Sequence, residues 1–267
     1  MQQAAPPAGT CQGALSFPTL RLKPDRETNL FPLRDNVSRT HEPFVVWAII
    51  ALNVAVFLYQ LSLNSHDLQV FLYQHALVPL RYFSPGWATE VGLSPTDFSP
   101  FLTNTFLHGG FLHIIVNMWT LWIFGPALED RLGPVRFVIL YVLAGIAASV
   151  THAVFNATSP MPALGASGAI AGVICAYAVR FPYAWIRVLV LLIFVPLFFS
   201  VPAMVFAGIW FFVQVLQGTS ELLSPFAGGG IAWWAHIGGF ISGWVLLNWL
   251  EHSGRSAVRY DGGPWER

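Results

Sequence analysis

From Phe44 to Leu63 the chain carries no charged residue, and apolar runs of the same kind return five more times. A run of this length needs a solvent that offers no hydrogen bonds, and there a backbone can satisfy itself only as a helix or a closed barrel. The runs are 44–63, 107–128, 137–155, 165–179, 202–216 and 234–250. Charged residues make up 10% of the 267. A soluble domain has roughly 25%, so this chain lacks the side chains to cover a water-facing surface. The expected fold is all-α, a polytopic membrane protein with six transmembrane helices. Several runs are shorter than the roughly 20 residues of a straight span, which suggests a compact bundle in a thinned bilayer. A net charge of +0 leaves no broad basic surface, so no nucleic-acid partner is expected. Cys11 lies in a polar segment and Cys175 in an apolar run, which is no disulfide framework. No Cys/His spacing suits zinc, and the first residues carry no charged, apolar leader pattern.

Loop charge orients the bundle. With the N-terminus inside, the inner segments hold Arg21, Lys23, Arg26, Arg34, Arg39, Arg131, Arg136, Arg180, Arg187, Arg255, Arg259 and Arg267. Only Arg81 falls outside, so the positive-inside rule is met. The expected organisation is a polar cytoplasmic tail over 1–42, a membrane domain over 43–252 and a polar tail over 253–267. Residues 30–33 are apolar enough to touch the membrane surface. The outer loop 64–106 is unusually aromatic and suits the headgroup level. The apolar stretch 184–200 reads as a membrane-surface or re-entrant segment, because a further span would put the C-terminal arginines outside. The predicted location is a cell membrane with both termini cytoplasmic.

Parity then groups the polar residues. The second, fourth and sixth runs all pass from outside to inside. His113 is expected about two turns into the second, with Asn117 one turn and about 6 Å deeper on the same face. Ser167 opens the fourth run and His236 the sixth. Taken singly, each has a bland explanation: serine among glycines packs helices, a histidine at a span end sits at the interface, and His113 with Asn117 makes an interhelical pair. Together, on one side of the membrane, they point to chemistry. Histidine can take the proton that makes a serine hydroxyl nucleophilic. The only acid between Ser167 and His236 is Glu221, in an outer loop. A Ser-His dyad is therefore expected, its imidazole oriented by packing or a neutral hydrogen bond. Asn117, His113 and the Ser167 backbone N–H are candidate oxyanion donors. Gly165, Gly168 and Gly172 in one run, with Gly238, Gly239 and Gly243 in another, allow two backbones to approach closely. His108 sits at the interface and His152 reads as structural.

These residues resemble the rhomboid family of intramembrane serine proteases. The likeness rests on His108-Gly109-Gly110-Phe111-Leu112-His113 with Asn117, on Gly165-Ala166-Ser167-Gly168, on Ala235-His236 with Gly239 and Gly243, and on Gly125-Pro126-Ala127-Leu128-Glu129-Asp130-Arg131-Leu132-Gly133. It implies a six-helix core with a water-filled cavity open to the outside. Ser167 would be nucleophile and His236 base, with His113, Asn117 and the Ser167 backbone as oxyanion hole. The fifth span would move to admit substrate. Substrates would be single-span membrane proteins, the surroundings lipid, and no cofactor or metal is implied. Many members carry a Trp-Arg pair in the outer loop; here Trp87 precedes Ala88, and Phe98-Ser99-Pro100-Phe101 precedes the second run. A catalytically silent binder of transmembrane segments is the competing reading, although such members have typically lost the serine or histidine.

Overall fold

A computed structural model describes residues 35–192, 195–223 and 232–251. The expectations for residues 30–33 and for the tail 253–267 lie outside the described residues. Each of the six apolar runs is a helix: α1 (Phe44–Ser62), α6 (Phe111–Leu132), α7 (Pro134–Phe155), α8 (Ser167–Arg180), α9 (Ala203–Leu223) and α10 (Trp233–Leu250). Four of them, α1, α6, α7 and α9, are long and apolar enough to cross a membrane by length and composition. The fourth-run helix α8 has 14 residues, and almost all of them are buried. It is the central element, ringed by α6, α7, α9 and α10.

The outer loop folds into four short helices, α2 (Ser65–His75), α3 (Leu80–Phe83), α4 (Pro85–Glu90) and α5 (Pro100–Thr103), then a 3₁₀ turn over Asn104–Phe106. Asn64 caps α2 by accepting the Asp67 N–H at 3.0 Å, and proline opens both α4 and α5. Arg81, the one basic residue expected outside, is 3% exposed. Its Nε donates to the Ser94 carbonyl at 2.7 Å, Nη1 to the Gln74 carbonyl at 3.3 Å and Nη2 to Asp97 at 2.8 Å. One guanidinium thus ties together three parts of a loop that lacks the Trp-Arg pair. Hydrogen bonds from Ser99, and then from Arg81, hold the Asp97 carboxyl below its usual range.

The helix ends expected on the inner side are joined by charge. Glu129 accepts the backbone N–H groups of Val45 and Val46 at 2.9 and 2.8 Å. A carboxylate therefore meets the N–H groups and positive dipole end that open α1. Asp130 accepts from the backbone and hydroxyl of Thr40 and from the backbone of His41. Arg131 and Arg180 both bind Glu251, at 2.9 and 2.7 Å, which locks α6, α8 and α10 together. The Glu129-Asp130-Arg131 stretch is thus a structural fastening.

Two differences from expectation stand out. The stretch expected at 184–200 is an antiparallel hairpin of β1 (Trp185–Leu192) and β2 (Val195–Pro202), paired from Trp185 with Pro202 to Leu192 with Val195. The stretch is rich in β-branched and aromatic residues and its prolines disfavour a helix, so a short hairpin interrupts an otherwise helical chain. The Ala203 N–H donates to the Ala184 carbonyl at 2.7 Å, which closes the hairpin base and starts α9 beside the end of α8. Residues 35–42, the end of the expected polar tail, pack against the helix bundle. Asp35 accepts the Tyr177 hydroxyl at 2.7 Å, and Asn36 accepts the Trp185 N–H at 2.8 Å.

Arg81→Met strips three acceptors at once and is expected to cost about 1–3 kcal/mol. It should lower the thermal midpoint and speed hydrogen exchange across residues 74–97. Because the Asp97 pKa is depressed from 3.8, its contribution is full above that pH and fades as pH falls through the lower folded value. Loop protection in the wild type should weaken on the same acid side.

Candidate active site

The site forms where three helices begin. A bridge between Leu77 and Ala163 holds the connection before α8, with N–H to carbonyl distances of 2.9 and 2.8 Å. The Gly165 N–H then donates to the Asn104 carbonyl at 2.9 Å. Gly165 has φ +129, a conformation that side chains rarely adopt. This turn delivers Ser167 to the first position of α8. His113 stands in the first turn of α6, not two turns in, because the helix starts only at Phe111, after Gly109 and Gly110. Its His108 neighbour is buried, gripped by Gln60 through both its N–H and its carbonyl at 3.1 Å. His236 occupies the first turn of α10.

Ser167 Oγ lies 2.8 Å from His236 Nε2. On the other side of the ring, His236 Nδ1 lies 2.8 Å from Gln214 Oε1. Gln214 is buried on α9 and donates its amide NH₂ to the Trp210 carbonyl at 3.2 Å. A carbonyl only accepts, so the amide orientation is set and Oε1 is left to receive the Nδ1 proton. A neutral imidazole protonated on Nδ1 presents its lone pair from Nε2, which faces the serine hydroxyl. The neutral partner expected for the imidazole is therefore Gln214. The sequence signal was present, an amide in an otherwise apolar run, but nothing in one dimension linked it to His236.

Two side-chain donors face the same space. The Gly109 N–H donates to His113 Nδ1 at 3.3 Å, which leaves the His113 proton on Nε2. A methyl group built on Gly165 would stand 2.7 Å from that Nε2 and 3.7 Å from Asn117 Nδ2. Asn117 is buried, and its Nδ2 has no hydrogen-bond partner among the described residues. A buried unpaired donor is costly, and it stands ready for an acceptor that arrives there. Behind the serine loop, Asn104 Nδ2 donates to Ser149 Oγ at 2.8 Å, a buried support that sequence reasoning missed.

The glycines divide by role. A Cβ on Gly239 would overlap the Gly168 carbonyl, and one on Gly243 would overlap the Gly172 carbonyl. These four make the α8–α10 contact. Gly165 does not belong to it, because it precedes the helix and gives room to His113. Gly238 faces Thr151 of α7 instead. Opposite α10, Ala148 and Ala144 of α7 press on Gly168 and Gly172, each at 2.5 Å from a built Cβ. Of the other histidines, His152 bonds Asn156 at the C-terminal cap of α7, and His41 lies against Asp130 at 2.8 Å. Among the described residues no three His, Cys, Asp or Glu side chains come together to hold a metal.

Comparison with known proteins adds an independent view. The Rhomboid domain family model matches residues 95–252. The chain is 31% identical over 216 residues to Rhomboid protein 1, mitochondrial, of Saccharomyces cerevisiae, covering 79% of this chain and 54% of that protein. It is 32% identical over 121 residues to the human presenilin-associated rhomboid-like protein, mitochondrial, covering 45% of this chain and 30% of the relative. It is 26% identical over 222 residues to RHOMBOID-like protein 1 of Arabidopsis thaliana, covering 76% and 52%. The chain spans about half the length, or less, of these relatives.

The packing makes a sharp contrast between two glycines. Gly239→Ala forces a methyl into a backbone carbonyl and should cost at least about 1–3 kcal/mol. It should also separate Ser167 from His236. Gly208→Ala, where a built Cβ meets nothing within 4 Å, should be neutral or gain up to about 1 kcal/mol from helix propensity. Thermal midpoints in one detergent, with a serine-reactive probe reporting the site, check both.

Proposed function

The chain belongs to the rhomboid family, and on that premise we propose that it is an intramembrane serine endopeptidase that cleaves transmembrane segments of single-span membrane proteins. The observation that carries this reading is the 2.8 Å contact between Ser167 Oγ and His236 Nε2. His236 Nε2 takes the hydroxyl proton as Oγ attacks the scissile carbonyl. The developing oxyanion is met by His113 Nε2–H, Asn117 Nδ2–H and the Ser167 N–H, which helix geometry leaves without an internal partner. His236 then returns the proton to the leaving amine. Water, deprotonated by the same imidazole, attacks the ester and releases the acyl product and the serine.

The cleavage level follows from topology. Ser167, His113 and His236 all lie in the first turns of helices that run outside to inside, so bonds near the outer face are within reach. Arg131, Arg136, Arg180 and Arg187 cluster at the opposite end of the bundle from Ser167, which supports a cytoplasmic side there with both termini inside, in a cell membrane. The mitochondrial designation belongs to the relatives that carry it. Residues 64–106 form the outer rim, and residues 43–252 form the protease domain, surrounded by lipid.

Purified protein should cleave a fluorescent single-span reporter, and Ser167→Ala should abolish cleavage. Equal cleavage by the variant, or fluorophosphonate labelling of a residue other than Ser167, sinks the reading. Asn117→Ala should lower kcat by about 10²-fold with the reporter still bound. The rate should also fall on acidification, because a protonated imidazole cannot accept the serine proton. A free histidine titrates near about 6.5. A rate that does not fall on acidification while the protein stays folded would remove His236 from the role of base.

A further inference from the structure

The outward face of α9 is apolar: Met204, Val205, Ile209, Phe212 and Leu216 are all exposed. Gln214 departs from this pattern. It is 5% exposed, and among the described residues it is the buried polar side chain of the helix. An amide in an apolar helix is costly unless both its halves are bonded. Here both are, and the bonds run in one direction. The Trp210 carbonyl accepts from Gln214 Nε2, Gln214 Oε1 accepts from His236 Nδ1, and His236 Nε2 faces Ser167 Oγ at 2.8 Å. Each acceptor determines where the next proton sits.

Simple helix-to-helix glue would need only some hydrogen bond across α9 and α10. This arrangement does more, because the opposite tautomer would set an Nδ1 lone pair against the Gln214 oxygen and an N–H against the serine. We infer that Gln214 is a positioning residue of the site. It holds His236 in the tautomer and ring plane that make it a base, and it ties that state to the seat of α9. The seat is apolar: Phe211 stacks on Phe240 at 4.5 Å, and Phe206 stacks on Phe124 at 5.5 Å. Trp210 also lies against the imidazole, with ring centroids 5.7 Å apart. A shift of α9 therefore carries Gln214 away from the ring, and the base loses its alignment.

This inference rests on the proteolytic reading for its consequence but not for its test. Full-length protein labelled with ¹⁵N-histidine is studied in detergent at about pH 8, above the free histidine value of about 6.5. The His236 signals are assigned by their loss in His236→Gln. The wild type should show a protonated Nδ1 and an unprotonated Nε2. Gln214→Met, close in length but without the amide oxygen, should move the ring toward a mixture of tautomers. It should also slow labelling by a fluorescent fluorophosphonate about tenfold or more. Phe211→Ala, which loosens the seat without touching either partner, should move the tautomer signal part of the way. A wild-type ring protonated on Nε2 overturns the inference, as does a Gln214→Met protein with unchanged tautomer and labelling. An unchanged signal in Phe211→Ala overturns the tie to the seat of α9. If the tautomer shifts as expected while wild type cleaves no single-span reporter, the positioning role stands and the proteolytic reading falls.

Discussion

The contact between α8 and α10 governs the rest of the molecule. Lipid supplies no hydrophobic force to press helices together, so close dispersion contact and small residues must do it. Here the Gly168 carbonyl occupies the place where a side chain of Gly239 would be, and Gly172 stands in the same relation to Gly243. The third side is closed by Ala144 and Ala148, with Thr151 on Gly238, so α7, α8 and α10 form one tightly packed unit. The 2.8 Å separation of Ser167 and His236 is a consequence of this backbone approach. Two helices held at the usual 8–10 Å by larger side chains would not bring a first-turn serine and a first-turn histidine together.

The two ends of the bundle use different chemistry. Glu129, Asp130, Arg131, Arg180 and Glu251 fasten the inner end through ion pairs and carboxylate caps. Charges can be used there because the ends of the helices lie near the aqueous boundary. The site at the other end is built from neutral groups: hydroxyl, imidazole and amide. An ionised carboxylate beside His236 would carry a heavy desolvation cost, and Gln214 gives the same directional hydrogen bond without it. The buried, unpartnered Asn117 amide belongs to the same economy of neutral donors.

Much of this was legible in one dimension. The apolar runs mark the six helices, since an uncharged run in lipid satisfies its backbone as a helix unless it closes a barrel, although α9 runs on to Leu223, well past the expected 216. The glycine spacing pointed to the α8–α10 contact, and loop charge put His113, Ser167 and His236 on one side. Other features were not legible. The start of α6 depends on how the Gly109-Gly110 pair bends, which moved His113 into the first turn. Gly165 looked like its neighbours in the glycine run, but its positive φ serves a turn instead. The apolar stretch 184–200 read as a membrane-surface or re-entrant segment, and its composition alone did not show that 185–202 pairs as a hairpin. Arg81 looked like an exception to the charge rule until its three acceptors could be seen.

The sequence by itself determined that the chain is a helical membrane bundle, which helices begin on the same side and which side chains are suited to nucleophilic chemistry. Those properties follow from composition and from the order of residues along single helices. Tertiary structure decided which polar groups meet, which tautomer the imidazole adopts and which buried donor is left without a partner. These depend on rotation and depth of one helix against another, and on atoms far apart in the chain. Gln214 and His236 are 22 residues apart, and no local pattern encodes that they face each other.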